Sequence, residues 1–262
     1  MGNETLYGKV AVISGAASGI GAAIARTFAR EGARIVAADL REEPVEALAG
    51  ELRREGADAI AVAADASLQA DWERVMARAE AALGPPDILV NNAGRQHVAQ
   101  VEDFPVETFR ELLDVMLMGA FLSTRLVVPA MKARRSGRII NIASINGLVG
   151  FPGKAAYNAA KHGLIGLTRV VALETAPYGI TVNALCPGYV DTPLVRNQLA
   201  ELSSLRGIPE DRVIAEVIAP LVPQNRLLDP SEVADYAAFL ASERAKGVTG
   251  QAVVIDGGYT AQ

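Results

Sequence analysis

The sequence has little of the residues that hold metals or form cross-links: it contains one cysteine and two histidines among 262 residues. Cys186 alone cannot form a disulfide within the chain. The two histidines have no cluster of cysteines or carboxylates around them, as a zinc site would require. We therefore predict no metal site, and the chemistry must come from other side chains.

Charge of either sign is also scarce. Charged residues make up 21% of the chain, and 25 basic against 30 acidic residues leave a net charge of -5. This balance disfavours nucleic acid and anionic membranes as partners. The stretch MGNETLYGKVAVISG has no basic segment followed by an apolar one, and no apolar run approaches the roughly 20 residues that span a bilayer. We expect a cytoplasmic protein that binds neither nucleic acid nor membrane.

What the sequence has in abundance is short apolar runs that alternate with longer amphipathic stretches. The runs are hydrophobic almost throughout, which is typical of parallel strands covered by helices on both faces. They are KVAVIS (9–14), ARIVAAD (33–39), DAIAVAAD (58–65), DILVNN (87–92), GRIINIAS (137–144), ITVNALC (180–186) and QAVVID (251–256). This order predicts an α/β fold of the Rossmann type, with a doubly wound, seven-stranded parallel sheet and helices on both faces.

One segment interrupts this alternation. Residues 193–223 contain helical pieces and several prolines but no strand. A long irregular connection between two strands is typical of a lid over a ligand, and we predict that role here. No repeat, low-complexity tract or linker divides the chain, so residues 1–262 are expected to form a single domain.

The first predicted strand runs directly into SGAASGIG and then into a helix. Gly15, Gly19 and Gly21 allow a tight turn and a close approach to a ligand, and the helix start attracts an anion such as a pyrophosphate. The same glycines also suit a simple strand-to-helix turn. Asp39, at the end of the second strand, favours binding of an adenosine ribose, although it can equally cap the following helix. Its charge disfavours a 2′-phosphate and so favours NAD, whereas the nearby cation of Arg41 would tolerate that phosphate.

Polar and small residues also follow the third and fourth predicted strands. Asp65 can accept a hydrogen bond from an adenine, and the NNAG of residues 91–94 leaves room for a flat ligand. Each can instead be a turn former. Because parallel strands end at one edge of the sheet, we expect these groups to lie together.

Tyr157 and Lys161 are four positions apart in the sequence, which places them on one face of a helix beginning near Ala155. A nearby ammonium favours the phenolate of a tyrosine, so the pair suits general acid–base chemistry. Ser144, at the end of a predicted strand, can hold a substrate oxygen against the tyrosine. Pairs of this kind also occur on helix surfaces without a function.

Taken together, GAASGIG, Asp65, NNAG, Ser144, Tyr157-x-x-x-Lys161 and the CPG of residues 186–188 resemble the short-chain dehydrogenase/reductase family over nearly the whole chain. The resemblance implies a dinucleotide-binding catalytic domain with metal-free hydride transfer between NAD(P) and an alcohol or ketone. In that scheme Tyr157 exchanges the hydroxyl proton, Lys161 binds the nicotinamide ribose and lowers the tyrosine pKa, and Ser144 orients the carbonyl. Asn183 and Thr192 would help to close the site around the nicotinamide. The implied cofactor-binding residues are Gly15, Ser18, Gly19, Ile20, Gly21, Asp39, Asp65, Asn92, Ala93, Gly94, Tyr157, Lys161, Pro187, Gly188, Val190 and Thr192.

One position departs from the family pattern. The family usually has an asparagine in the long helix before the strand of Ser144, where it positions a proton-relay water, and this chain has Met116. A methionine cannot hydrogen-bond through an amide. Three outcomes stay open: backbone carbonyls hold the water alone, catalysis is slower, or turnover is lost and the protein is a nucleotide-binding regulator.

Within the family, the segments around these motifs look most similar to the (R)-3-hydroxybutyrate dehydrogenases, which implies a short 3-hydroxy acid or the corresponding ketone as substrate. The implied substrate-binding residues are Gln96, Ser144, Asn146, Lys154, Tyr157, Tyr189, Gln198 and Tyr259, with Lys154 as the charge partner of a carboxylate. Asn146 stands where a histidine is usual, and Tyr189 and Tyr259 replace tryptophans. Because tyrosine is smaller than tryptophan, we expect the substrate pocket to have room for a longer 3-hydroxy acid or another polar hydroxy ketone.

The predicted helix from Ala155 to Ala176 is apolar almost all round, so one sheet cannot cover it. A subunit interface would cover the rest, and we predict a homotetramer, as the family resemblance also implies.

Two other functions stay open. One is an NADPH-dependent 3-oxoacyl-thioester reductase or another secondary-alcohol dehydrogenase of this fold, and the other is an NAD-sensing binding module with weak turnover.

Overall fold

A computed structural model describes residues 5–197, 199, 203 and 207–261, and a parallel sheet forms its centre. The strands are β1 Val10–Ser14, β2 Arg34–Asp39, β3 Ala59–Ala63, β4 Ile88–Asn91, β5 Gly137–Ile142, β6 Ile180–Pro187 and β7 Ala252–Ile255. Their order across the sheet is β3-β2-β1-β4-β5-β6-β7, and every neighbouring pair is parallel. Each predicted strand is present, and the predicted fold class is confirmed.

Helices cover both faces of this sheet. In chain order, the α-helices of the described residues, including the two short ones of the predicted lid, are α1 Gly19–Arg30, α2 Glu42–Arg54, α3 Gln69–Ala82, α4 Val106–Leu113, α5 Gly119–Arg134, α6 Ala155–Thr175, α7 Pro193–Arg196, α8 Glu210–Val213 and α9 Pro230–Ala241. Successive strand residues point to opposite faces. In β1, Ala11 and Ile13 therefore pack with α1, α2 and α9, while Val10 and Val12 pack with α3, α5 and α6. Burial on both faces explains why the strands read as continuous apolar runs.

The strand order reverses between β1 and β4. From β1 the chain builds outward to β2 and β3, and from β4 it builds the other way to β5, β6 and β7. At such a reversal the connections leave in opposite directions and open a crevice at the carboxyl ends of the strands. The fold therefore fixes where a ligand can bind before any side chain is considered.

The helical run from Val106 to Arg134 is long and apolar enough to cross a membrane by length and composition, contrary to the sequence expectation. Its final part, α5, lies against β4, β5, α3 and α6. Leu122, Val127 and Met131 are buried in those contacts. Packing within the protein accounts for the apolar character of this buried part of the run, whereas Met118 and Phe121 are exposed.

The predicted lid contains α7, α8, a π-helical turn Ile214–Ile218 and a short turn Ala219–Leu221. Val213 and Ile218 form a small apolar cluster that also contacts Tyr189. Two backbone hydrogen bonds close the base of the segment: Leu228 N–H donates to Tyr189 O, and Asp191 N–H donates to Leu228 O, each over 2.9 Å. The residues that flank the segment are thus tied to each other just beyond the end of β6.

Candidate active site

A cavity of about 450 Å³ opens at the carboxyl ends of the central strands. It brings together most of the residues predicted from the sequence. Those that line it are Gly15, Ser18, Gly19, Ile20, Asp39, Asp65, Asn92, Ala93, Gly94, Gln96, Ser144, Asn146, Lys154, Tyr157, Lys161, Pro187, Gly188, Tyr189, Val190 and Thr192. The first part of the lid, at Pro193, Leu194 and Val195, also faces this cavity.

Four predicted residues do not line it or cannot be placed. Gly21 lies behind the turn, and Tyr259 lies behind Tyr189, with their ring centroids 6.0 Å apart. Asn183 is wrong as a residue that closes the site, because it does not line the cavity, and its amide donates to Val248 O and accepts from Gln251 N–H in the loop before β7. Gln198 lies outside the described residues.

The glycine turn has the geometry that the sequence requires. Gly15 and Gly19 have φ angles of 62° and 55°, in the left-handed region that favours glycine. A Cβ on Gly21 would collide with the Gly15 carbonyl oxygen and lie 2.5 Å from Asn92 Nδ2. Gly21 therefore acts through close packing of α1 against the turn, while the other two shape the backbone.

Ser14 and Asn92 join the ends of β1 and β4. Asn92 Nδ2 donates to the carbonyl oxygens of Ser14 and Gly15, both over 3.0 Å. Ser14 Oγ accepts the N–H groups of Asn92 and Ala93 over 3.0 and 3.1 Å. Sequence reasoning did not single out Ser14, since a serine at a strand end carries no signal of its partner 78 residues away.

Asp39 is buried at the end of β2. Its Oδ2 accepts the Ala17 N–H over 3.0 Å, and its Oδ1 accepts the Arg41 N–H over 3.0 Å. Arg41 Nε lies 3.3 Å from the same Oδ1, and Arg41 Nη2 donates to Ser18 Oγ over 2.9 Å. The N-cap of α2 is Arg41, so Asp39 does not cap that helix in the way the sequence left open.

Asp65 has both of the roles considered for it. Its Oδ1 accepts the N–H and the hydroxyl of Ser67 over 2.8 and 2.7 Å, as a turn former does. It also lines the cavity, with Ala64 and Ala66 beside it. Its own N–H donates to Asp71 Oδ2 over 2.7 Å, which fixes the loop to the start of α3.

Ser144, Tyr157 and Lys161 meet at one wall of the cavity. β5 ends at Ile142, so Ser144 lies two residues beyond the strand, where its Oγ accepts the Asn146 N–H over 3.1 Å. Tyr157 forms a side-chain hydrogen bond with Ser144. Lys161 Nζ donates to Ile142 O over 2.6 Å and lies 5.4 Å from the centre of the Tyr157 ring. The helical spacing of four residues therefore places both side chains as predicted.

The pKa of Tyr157 does not follow the sequence expectation. Burial raises this pKa to about 12, and the hydrogen bond with Ser144 only partly offsets the effect. Burial also lowers the pKa of Lys161 to about 8, although the nearby Cys186 acts in the opposite direction. Loss of hydration disfavours the charged form of both groups, and in the protein alone it outweighs the attraction between ammonium and phenolate.

Met116 lies in a π-helical turn, Asp114–Met118, between α4 and α5. The Gly119 N–H donates to Asp114 O across this turn. Met116 is buried, and a Cβ on Gly94 would lie 3.6 Å from its sulfur. The thioether thus packs under the NNAG turn, and the π turn is a feature that the sequence analysis did not predict.

The end of the cavity where the sequence predicts the substrate is lined by Gln96, Lys154 and Tyr189, and we call it the substrate end. It is built from loops. Lys154 precedes α6, is 7% exposed, and has its Nζ 4.6 Å from the centre of the Phe151 ring. Burial raises the pKa of Tyr189, and Tyr259 adds to the effect. Arg95 also lines this end, with Nη1 3.5 Å from Glu111 Oε2. Sequence reasoning missed Arg95, because a charged residue in a loop usually faces solvent.

A buried polar network supports the wall behind these groups. Asn91 Nδ2 donates to Asn141 Oδ1 over 2.9 Å, and Asn141 Nδ2 donates to Thr168 Oγ1 over 2.8 Å. Ser123 Oγ donates to Asn91 Oδ1 over 2.7 Å. The network joins β4, β5, α5 and α6, so the first asparagine of NNAG has a structural role.

The residues that line the cavity carry a net positive charge, whereas the whole chain carries a net negative charge. Four cations line it, namely Arg41, Arg95, Lys154 and Lys161, against the two carboxylates of Asp39 and Asp65. The whole chain has a net charge of -5. A cavity with an excess of positive charge attracts anionic ligands even when the protein is acidic.

Comparison with known proteins agrees with this geometry. Residues 15–260 match the family model described as Enoyl-(Acyl carrier protein) reductase. The chain is 61% identical over 254 residues to Uncharacterized oxidoreductase YxjF of Bacillus subtilis, which covers 97% of this chain and 99% of that protein. It is 44% identical over 262 residues to D-beta-hydroxybutyrate dehydrogenase of Cupriavidus necator, which covers 98% of this chain and 100% of that protein.

A solved structure matches equally fully. The crystal structure of a variant of actinorhodin polyketide ketoreductase with NADPH gives a TM-score of 0.93 at 37% identity, covering 96% of this chain and 97% of that chain. The family model and these relatives each match nearly the whole chain. The chain belongs to the short-chain dehydrogenase/reductase family and is an oxidoreductase.

Proposed function

We propose that the protein is an NAD-dependent dehydrogenase that transfers a hydride between nicotinamide and a short 3-hydroxy acid, with (R)-3-hydroxybutyrate and acetoacetate as the pair to test first. The observation that carries this proposal is the buried Lys154 in the same cavity as Ser144, Tyr157 and Lys161. A buried ammonium at the substrate end suits a substrate with a carboxylate. The relative from Cupriavidus necator is named for that reaction.

The residues at the other end fit a nicotinamide dinucleotide. The turn from Gly15 to Gly19 presents the start of α1 to the cavity, where backbone N–H groups favour a pyrophosphate. Asp39 Oδ2 accepts one hydrogen bond, from the Ala17 N–H, and its second lone pair can accept a ribose hydroxyl. When bound, the cofactor supplies the hydride acceptor or donor.

The protein's own groups then handle the proton. In oxidation, the Tyr157 phenolate removes the hydroxyl proton of the substrate, and Ser144 donates a hydrogen bond to the same oxygen. In reduction, the Tyr157 hydroxyl returns the proton to the oxygen of the carbonyl. Lys161 holds its positive charge beside the ring and stabilises the phenolate as it forms. The position is suitable because Tyr157 and Ser144 are already hydrogen-bonded to each other.

The preference for NAD rests on Asp39. Its buried carboxylate at the end of β2 would face a 2′-phosphate at short range and repel it. The rival proposal is an NADPH-dependent reductase, which two observations favour. Arg41 supplies a cation next to Asp39, and the matching ketoreductase structure contains NADPH.

One assay can decide between these functions. Short hydroxy acids and neutral alcohols of equal length are measured with NAD and with NADP, for the wild type, Lys154→Ala and Lys246→Ala. Lys246 is an exposed lysine outside the cavity and serves as the control. Lys154→Ala should cost the hydroxy acid about 2 to 5 kcal/mol in kcat/KM, as truncation of one member of a buried charge pair does. The neutral alcohol should lose far less.

Equal losses for acid and alcohol would reject the hydroxy-acid assignment while leaving the family assignment in place. Equal or better kcat/KM with NADP would reject the cofactor preference and favour the reductase. Absence of turnover with every substrate, together with binding of NAD, would favour the sensing module.

We also propose a cytoplasmic homotetramer. On α5 and α6, the side chains of Phe121, Val170 and Leu173 are exposed in this chain, the last of them by 79%. An apolar helix face of this kind is suited to burial against another copy. Sedimentation of the purified protein tests the number of copies.

A further inference from the structure

The loop Leu148–Gly153 links the short turn Ile145–Gly147 to α6 and leads directly to Lys154. It contains no helix or strand, and the side chains of Leu148 and Val149 are both 38% exposed. Such a loop has few apolar contacts of its own to fix it. The position of the Lys154 ammonium therefore depends on what else holds the loop.

Asn158 supplies one such contact from the helix. Its Nδ2 donates to the Val149 carbonyl oxygen over 2.8 Å, which joins the first turn of α6 to the middle of the loop. Its N–H donates to Lys154 O over 2.8 Å in the helix itself. Asn158 does not line the cavity, although it follows Tyr157 directly. It is therefore placed to act on the loop without touching a ligand.

The other end of the Asn158 amide strengthens this interpretation. Within the part of the chain that the structure describes, Oδ1 is buried and has no hydrogen-bond partner. Most buried polar atoms in native proteins are paired, and an unpaired one is destabilising. The side-chain hydrogen bond that Asn158 does make is the one to Val149 O, which indicates that fixing the loop is the role of this amide.

A second link joins the loop to the segment that carries Gln96. The Ala99 N–H donates to Gly153 O over 3.0 Å. Gly153 has a φ angle of 81°, and a Cβ at this position would lie 3.0 Å from Val98 Cγ1. The two segments that supply Gln96 and Lys154 are thus in contact immediately beside those residues.

We propose that Asn158 is a positioning residue that sets the place of Lys154, and through Gly153 that of Gln96, at the substrate end of the cavity. The role of Lys154 in carboxylate binding is taken from the proposed function, on which this inference rests. A buried ammonium must meet its anion at hydrogen-bond distance, so a displaced Lys154 would bind the carboxylate more weakly. The hydrogen bond from Asn158 acts on substrate binding, while Tyr157 and Ser144 keep their geometry.

The test compares Asn158→Ala and Asn158→Asp with the wild type. The aspartate keeps the size of the side chain but removes the donor, so it covers the case in which the alanine variant folds poorly. We expect the KM for the hydroxy acid to rise about five- to tenfold, the factor for one lost hydrogen bond. The kcat, the KM for NAD and the KM for a neutral alcohol should stay within about twofold of wild type. His162→Ala is the control, because this exposed ring is hydrogen-bonded to the backbone oxygen of Asn158 and not to its side chain.

Two further measurements separate this inference from the proposed function. Hydrogen exchange of the amides of residues 148–153 should be faster in both Asn158 variants and unchanged in His162→Ala, whatever the substrate is. In the Lys154→Ala background, Asn158→Ala should raise the KM for the acid by a smaller factor than it does in the wild type, since only the effect through Gln96 is left.

Unchanged exchange, or a fall in kcat with an unchanged KM, would overturn the positioning role. Additive effects of the two substitutions on the KM would also overturn it, because Asn158 would then act independently of Lys154. If the exchange result holds but Lys154→Ala affects acid and alcohol equally, the hydroxy-acid function fails and the control of the loop by Asn158 stands.

Discussion

The two ends of the cavity are built in different ways. At the cofactor end, Ser14, Asn92 and Asp39 lie at or next to the ends of strands, and they hydrogen-bond mainly to backbone groups of neighbouring elements. At the substrate end, Gln96, Lys154 and Tyr189 lie in loops. The first end is positioned by the sheet, and any dinucleotide-binding chain of this fold needs a similar one. The second is positioned by a few contacts between loops, so it can change with little effect on the fold.

The largest expected effect is at Tyr157, where the two ends meet. Tyr157→Phe keeps the ring but removes the proton donor and acceptor. We expect kcat to fall by roughly a hundred- to ten-thousand-fold, the usual contribution of general acid–base catalysis. The Kd for cofactor, measured by fluorescence titration, should stay close to wild type, because the ring still fills its place. Near-normal turnover of this variant would refute the proposed chemistry.

The comparison of the two ends also explains what the sequence could predict. The seven strands, the glycine turn and the Tyr157–Lys161 pair follow from local patterns of hydrophobicity, glycine and helical spacing. The substrate residues came from the family resemblance, and no local pattern distinguishes Lys154 from a lysine in solvent. The π turn at Asp114–Met118 and the position of Arg95 depend on packing between distant segments.

The pKa of Tyr157 shows the same limit. The sequence gives the spacing of the tyrosine and lysine, from which attraction between their charges follows. It does not give the extent of burial, which raises the tyrosine pKa to about 12 and prevails in the protein alone. Asn183 was misplaced for a related reason, because its position in the chain did not reveal that β6 directs its amide to the loop before β7.

Substitution of one glycine at each end of the cavity tests whether the cofactor end is the more rigid of the two. Gly21→Ala places a methyl group against Gly15 O and Asn92 Nδ2, and close packing of this kind typically costs about 1–3 kcal/mol. We expect a lower Tm and about tenfold weaker cofactor binding, since roughly 1.4 kcal/mol corresponds to a factor of ten. Gly150→Ala, in the substrate loop, meets nothing within 4 Å. It should change stability by less than about 0.5 kcal/mol, as open surface positions do. Equal effects of the two substitutions would contradict the difference between the ends.

The smallest effect is expected at Arg41, the part of the cofactor end that is not rigid. Its side chain is 55% exposed, and its contact with Asp39 is 3.3 Å long, so water screens much of the attraction. Exposed pairs of this kind contribute about 0.2–1 kcal/mol, which corresponds to a change of less than about fivefold. Arg41→Ala should therefore lower kcat/KM for NADP a few-fold, because Asp39 then faces the 2′-phosphate without a neighbouring cation. Activity with NAD should hardly change.

Asp39→Asn should act in the opposite direction and narrow the proposed preference for NAD over NADP. The effect of Arg41→Ala should weaken as salt is added, because salt screens this exposed charge, whereas the effect of the buried Asp39 should depend less on salt. If Arg41→Ala instead weakens NAD and NADP equally and independently of salt, the residue acts by holding Ser18 in place, and the preference for NAD depends on Asp39 alone.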